Sequence, residues 1–289
     1  MFTGDDLLWG LAFPFGLALV VLALLGGWRW GVALGLAAGY VAGHIALQGH
    51  QGLESIRAMR PAGAADWALV FAVAAALVGL LVSCSCVSAG AVWLARLLLA
   101  VALVNAVLWM MVETRWEKVQ ALVYVQSILG IVLVVWWSVD GLAERVRGTT
   151  APLVLCLTVA AAAALMIFHN SLTLGKLTAA MAAALLATYL VGLFRSSMDL
   201  SRGGMAVVVT TTGTLLLGAV FYGEVAMWAA LTVALSPVLA WVRVSSLLDG
   251  IRPAFAAIWT AILVLIPLVV AVTPSALGFF RGGNEAATP

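Results

Sequence analysis

The stretch GVALGLAAGYVAGHIAL, residues 31–47, carries a glycine at every fourth position: Gly31, Gly35, Gly39 and Gly43. Residues four apart lie on one face of an α-helix, so this helix has a groove almost free of side chains. In water each interior glycine costs a helix about 1 kcal/mol relative to alanine, but in a bilayer small residues allow helices to approach closely. The stretch therefore predicts the central packing helix of a multi-spanning membrane protein.

The composition indicates that lipid is the main solvent of this chain. It has 289 residues, of which 65% are hydrophobic and only 9% are charged, whereas soluble domains carry about 25% charged residues. A lipid bilayer is therefore the predicted partner, and the net charge of +2 is too small to favour a nucleic acid. The three cysteines are too few for a disulfide framework. No nucleotide-binding or nucleophile-elbow motif is present, and no cofactor is predicted.

The apolar runs predict an all-α polytopic bundle of about ten spans. A single transmembrane domain is predicted over residues 1–272, and a disordered tail over residues 273–289. The breaks at Cys84 and Glu224 are the weakest, because no charged residue marks the first and Glu224 alone marks the second. The predicted helices, numbered one to ten, cover residues 7–25, 31–48, 67–82, 91–112, 121–137, 151–167, 176–194, 205–221, 225–242 and 255–272. Helices seven and eight have small residues at every fourth position, so either one suits the glycine groove.

The basic residues predict an orientation through the positive-inside rule. Six lie on the side where the chain begins: Arg57, Arg60, Arg115, Lys118, Lys176 and Arg281. Eight lie on the other side: Arg29, Arg96, Arg145, Arg147, Arg195, Arg202, Arg243 and Arg252. The eight-to-six bias places both termini outside a bacterial cytoplasmic membrane.

Charged residues are expected near the ends of spans. Arg96 is expected to extend to the lipid headgroups, and Asp140 is assigned to the loop after helix five. With no carboxylate or lysine deep in a span, proton- or ion-coupled transport is not favoured. Leu36 of helix two is expected to face lipid.

A few polar residues lie within the predicted spans and could line a cavity. Asn105 of helix four lies near mid-membrane, where a polar side chain should face protein. It could bond to Gln126 of helix five or to Thr210 and Thr214 of helix eight. These residues either hold helices together, which is their usual role, or form a polar cavity for a substrate.

A second polar set lies at helix ends on the N-terminal side: His44, His50, Glu54 and Glu224. Histidine and carboxylate ligands together could bind Zn²⁺ or act in an interfacial enzyme. His44 and His50 are six residues apart, which is not the i, i+4 spacing of a helical metal pair. The favoured interpretation is that they are interfacial polar residues, so no metal or catalytic residue is predicted.

Several local patterns are shared with known sequences. They are an alanine-rich span, an R-x-x-x-x-LSRG turn from Arg195, an FY-x-E joint at Glu224, a span ending in SP, and GY-x-x-GH up to His44. In these features residues 31–241 resemble an uncharacterised family of bacterial multi-spanning membrane proteins of the planctomycete type. The resemblance implies a membrane bundle and no activity, so no functional residue is carried over.

Three function classes remain open. A permease or carrier for a small neutral or apolar molecule is favoured, and it requires a polar-lined cavity. A structural or assembly subunit, packed against another membrane protein or a second copy, would have a filled core. A membrane enzyme would bring its histidines and glutamates together at the interface.

Overall fold

A computed structural model describes residues 4–28, 30–49, 61, 63–83, 87–145, 149–195, 200, 203–244 and 253–285. Every regular element in these ranges is helical. The ten main helices are α1 (Phe13–Leu25), α2 (Gly31–Gln48), α3 (Ala64–Ser83), α4 (Ala89–Thr114), α5 (Lys118–Arg145), α6 (Thr150–Phe168), α7 (Leu172–Phe194), α8 (Gly204–Phe221), α9 (Met227–Leu235) and α10 (Pro253–Glu285). A short helix, Gly4–Leu7, and a π-helical turn, Leu8–Ala12, precede α1, and a 3₁₀ segment, Ser236–Arg243, continues α9.

Nine helical stretches in the described ranges are long and apolar enough to cross a membrane, and the first of them, Leu8–Leu25, joins the π-helical turn to α1. The remaining apolar helix, Met227–Val242, is shorter and changes to 3₁₀ geometry at Ser236, next to Pro237. Proline has no N–H to donate, so it is tolerated at such a junction. The prediction of an all-α polytopic bundle is confirmed.

The glycine-rich helix α2 lies inside the bundle and packs on α1, α3, α7 and α8. Of its residues 61% are buried, as in α8, against 17% for the most apolar stretch of α5. A Cβ atom added at Gly39 would lie 2.9 Å from Ala18 Cβ and 3.0 Å from Ala184 Cβ. The glycine face thus allows the backbone of α2 to approach α1 and α7 closely.

Helices α1 and α7 fill the glycine groove of α2. At Gly35 an added Cβ would lie 2.6 Å from Leu22 of α1, and at Gly43 it would lie 2.6 Å from Pro14 Cγ and 2.7 Å from Ala180 Cβ of α7. At Gly31 it would collide with the carbonyl oxygen of Leu25. Helix α7 was one of the two expected partners, whereas α1 was not expected, because no small-residue repeat marks it.

Three sequence expectations need correction. Leu36 does not face lipid, because its side chain is fully buried in the core. Helix α5 continues past the predicted end at Trp137 to Arg145, so Asp140 belongs to the helix and not to a loop. Helix α10 continues from Val272 to Glu285, so the predicted disorder does not hold for residues 273–285; residues 286–289 lie outside the described ranges.

The breaks near Cys84 and Glu224 both separate helices. Helix α3 ends at Ser83 and α4 begins at Ala89, and α8 ends at Phe221 before α9 begins at Met227. Residues 84–86, which include both cysteines of the first break, lie outside the described ranges. Contacts show the directions of several helices: α1 and α2 are antiparallel, since Leu22 lies at Gly35 and Pro14 at Gly43, and the beginning of α3 lies beside the second half of α4 and the end of α8. The side on which α1 begins is called the N side below.

Candidate functional site

The predicted polar set is divided between the surface and the core. Asn105 and Gln126 are exposed, whereas Thr210 and Thr214 are fully buried. The two threonine hydroxyls donate to carbonyl oxygens of their own helix, Thr210 to Ala206 at 2.7 Å and Thr214 to Thr210 at 2.7 Å. The expected bonds from Asn105 to Gln126 or to the threonines are absent among the described residues.

Asn105 lies in a cavity of about 900 Å³ on the N side, here called the N-side groove. Its walls come from the beginning of α3, the second half of α4 and the end of α8. The described lining residues are Pro61, Gly63, Ala64, Ala65, Trp67, Asn105, Ala106, Val107, Trp109, Met110, Leu174, Gly218 and Tyr222. The volume lies within the range of about 300–1,000 Å³ that is typical of small-molecule sites.

The polar groups of the N-side groove are few and defined. Asn105 Nδ2 donates to the Val101 carbonyl oxygen at 2.8 Å. An amide has two N–H donors and one acceptor oxygen, so one donor and the oxygen remain for a ligand. Tyr222 donates its hydroxyl to the Val107 carbonyl oxygen at 2.5 Å. Partial burial raises the pKa of Tyr222 above its ordinary value of 10.0, so this hydroxyl remains a donor at physiological pH.

The predicted interfacial cluster does not come together among the described residues. His44 is 1% exposed, inside the bundle, whereas Glu224 is exposed in the segment between α8 and α9. His50 and Glu54 lie outside the described ranges. In the described part of the chain no three histidine, cysteine, aspartate or glutamate residues are placed to hold a metal ion.

His44 belongs instead to a buried polar group that sequence reasoning missed. The Tyr40 ring, one turn earlier on α2, lies 5.9 Å from the His44 ring between centroids. Asp66, in the first turn of α3, is 8% exposed and also buried. The Tyr40 hydroxyl and both His44 ring nitrogens are buried without a hydrogen-bond partner among the described residues. The i, i+4 spacing of Tyr40 and His44 is the sequence signal that could have revealed the pair.

We expect replacement by phenylalanine to have opposite effects on stability at Tyr40 and at Tyr222. Tyr40→Phe is expected to raise the free energy of unfolding by about 1 kcal/mol, because it removes a buried hydroxyl without a partner. Tyr222→Phe is expected to lower it by about 1 kcal/mol, because it removes the bond to Val107. Unfolding in mixed detergent and SDS micelles measures both. A destabilising Tyr40→Phe would show that a bound water or other group satisfies the hydroxyl.

A buried ion pair, like the Tyr40–His44 pair, was not predicted from the sequence. Arg96 of α4 pairs with Asp140 of α5 through both guanidinium NH groups, one of them 3.1 Å from Oδ1. The side chains are 9% and 4% exposed, so Arg96 does not extend to the headgroups as expected. Its guanidinium also lies 5.1 Å from the centre of the Trp93 ring. The pair lies toward the side opposite the N side.

The C-terminal end of α5 contacts the 3₁₀ segment after α9. Trp241 donates its indole N–H to the Ser138 carbonyl oxygen at 3.0 Å. The Arg145 guanidinium lies 4.8 Å from the centre of the Trp241 ring. Such cation–π contacts, together with the hydrogen bond, fix the end of α5 against its neighbour.

A smaller cavity of about 130 Å³ lies among α5, α6, α8 and α9. Its lining is almost wholly aliphatic and includes Ile128, Val159 and Leu216, with Thr158 and Thr212 as the hydroxyl-bearing residues. The Thr158 hydroxyl is already bonded to the Val154 carbonyl oxygen at 2.9 Å. An engineered apolar cavity of similar size stays dry and binds benzene or xenon, so this site suits only a very small apolar molecule.

Comparison of the chain with protein-family models, with curated proteins and with solved structures found no match.

Proposed function

We propose that the protein is a carrier that binds a small neutral molecule in the N-side groove. The groove is the observation that carries this proposal, because it combines a ligand-sized volume, aromatic walls and an amide with free hydrogen-bonding capacity. Binding sites of this kind are mostly apolar, with a few polar groups that orient the ligand.

The chemistry of the groove favours an uncharged ligand. The described lining contains no charged residue, and a charged ligand would lose its hydration without gaining a counter-charge. Trp67 and Trp109 offer flat apolar surfaces, and Asn105 offers a donor and an acceptor. A planar molecule that bears an amide or hydroxyl group matches both features.

The location of the groove is consistent with transport from one side of the membrane. The Lys/Arg count predicts that the N side, with both termini, faces outward from a bacterial cytoplasmic membrane, and the resemblance to the planctomycete-type family would also favour this membrane. The groove would then open outward, while the packed core closes the path beneath it. A carrier in an outward-facing state has this arrangement, since access alternates between the two sides.

A structural or assembly subunit is the second candidate. The observation in its favour is the filled core, in which buried residues from α1 to α10 form one continuous apolar cluster. The threonines Thr210 and Thr214 bond within their own helix, and neither lines the N-side groove or the smaller cavity. A structural subunit would bind no small molecule in the N-side groove.

Binding of 4-fluorobenzamide to the protein in lipid nanodiscs, followed by ¹⁹F line broadening, separates the two candidates. This probe has an aromatic ring for the tryptophan walls and an amide for Asn105. Saturable binding is expected, and Asn105→Leu is expected to weaken it about tenfold, because one hydrogen-bonded amide pair is lost. The control is Thr273→Leu, which changes an exposed polar residue of α10 outside the groove.

Three results decide between the candidates. Saturable binding that Asn105→Leu weakens and Thr273→Leu does not would support the carrier. Binding that is equally strong in Asn105→Leu would contradict the assignment of the groove. No saturable binding of 4-fluorobenzamide, 4-fluorobenzyl alcohol or 4-fluoroacetanilide would favour the structural subunit.

A further inference from the structure

Helix α5 lies at the edge of the bundle and exposes one complete face. Val123, Val134 and Trp137 are 58%, 55% and 61% exposed, and Gln126 and Gly130 are exposed between them. These five residues are three or four positions apart, so they form one stripe along the helix. The stripe is called the α5 seam below.

Gln126 is the unusual member of the α5 seam. It lies within the apolar span, well inside both ends of the helix, and its side chain is exposed. Its amide makes no hydrogen bond to any described residue. Hydrocarbon chains offer neither donors nor acceptors, so a polar side chain at this depth that makes no bond within its own helix favours a protein partner. Glutamine is one of the residues that join helices within membranes.

The other seam residues favour close contact with a helix. A Cβ atom added at Gly130, one turn from Gln126, would have nothing within 4 Å. Glycine at an exposed position lets a second backbone approach without obstruction. No charged residue lies on the seam between Val123 and Trp137, so two such seams do not repel each other.

We propose that the α5 seam is the interface of a homodimer, in which Gln126 bonds to Gln126 of a second copy. If every copy inserts in the one orientation that the Lys/Arg count predicts, the two-fold axis of a dimer stands along the membrane normal. Each seam residue then meets its counterpart at the same depth. The amide is both donor and acceptor, so two glutamines satisfy each other, and Gly130 lies opposite Gly130.

This interface is independent of the proposed carrier function. The N-side groove has no lining residue from α5 among the described residues. The cavity that α5 does line faces the bundle through Ile128, Val132 and Val135, on the side away from the seam. Loss of dimerisation and loss of ligand binding are therefore separate results.

Disulfide cross-linking tests the contact directly. The background is cysteine-free, with the substitutions Cys84→Ala, Cys86→Ala and Cys156→Ala. Oxidation of Gly130→Cys in native membranes is expected to give a covalent dimer, because a disulfide forms when two Cα atoms lie about 4.4–6.8 Å apart. The control is Val269→Cys, which is 58% exposed on α10 at a similar distance along its helix.

Gln126→Leu tests the hydrogen bond. We expect it to raise the dimer dissociation constant about tenfold, measured by single-molecule photobleaching in liposomes at several dilutions. Thr273→Leu, the same kind of change at an exposed position of α10, should leave the constant unchanged. Because Gln126 is exposed and makes no hydrogen bond to a described residue, helical content by circular dichroism should match the wild type.

Equal cross-linking at Gly130→Cys and Val269→Cys would overturn the proposal, since the seam would then be one lipid-facing surface among others. A dissociation constant unaffected by Gln126→Leu would also overturn it. A monomer at every dilution would do the same.

Discussion

The Gly39→Leu substitution is expected to lower the free energy of unfolding by about 3 kcal/mol or more. Even a Cβ atom at this position would lie 3.0 Å from the Pro14 carbonyl oxygen and within 3.0 Å of the Ala18 and Ala184 methyl groups. Overpacking typically costs about 1–3 kcal/mol. Here α1 and α7 must both move, because the obstructing atoms are backbone and short side chains that cannot rotate away.

Unfolding in mixed detergent and SDS micelles measures this effect. Gly278→Leu is a suitable control, because a Cβ at that exposed glycine of α10 has nothing within 4 Å. Leu36→Ala is unsuitable as a lipid-facing control, since Leu36 is fully buried. If Gly39→Leu is as stable as Gly278→Leu, then α2 does not pack against α1 and α7 in the manner described.

The Asp140→Leu substitution is expected to cost about 3–5 kcal/mol, because it leaves the Arg96 guanidinium buried without its counter-charge. Arg96→Leu should have a similar cost for the converse reason. The double variant is expected to recover most of the lost stability, since replacing a buried pair by apolar residues is often neutral or stabilising.

A double-mutant cycle in the same unfolding assay separates the pair from its surroundings. Glu144→Leu, which changes an exposed acid one turn further along α5, should alter stability by less than about 0.5 kcal/mol. Additive effects of the two single variants in the double variant would contradict a direct interaction between Arg96 and Asp140.

The fold could be predicted from local sequence because each span is an apolar run with its own length and ends. The central place of α2 also followed from local spacing, since only glycine at every fourth residue leaves one face bare. Local sequence did not predict which helices pack against α2. Helix α1 supplies Pro14, Ala18 and Leu22 to the groove, and nothing in its composition distinguishes it from other apolar helices.

The candidate sites depended on contacts between distant residues, and sequence pattern predicts those poorly. Asn105 was chosen for its depth in the membrane and does line the N-side groove. Arg96 and Asp140 are 44 residues apart. Because helix five was predicted to end at Trp137, Asp140 was assigned to a loop and no pairing with a residue of another helix was expected. His44 was grouped with polar residues at the interface, although it is buried inside the bundle with its ring 5.9 Å from that of Tyr40.

The Arg96–Asp140 pair also bears on how the chain enters the bilayer during synthesis. An isolated arginine or aspartate opposes insertion of its helix, by about 2.5–3.5 kcal/mol at the centre and by less toward the ends, where Arg96 and Asp140 lie. Both charges of this pair lie on consecutive helices joined by a short N-side connection, so each neutralises the other as soon as the second helix emerges. We therefore expect α4 and α5 to enter the bilayer as one helical hairpin.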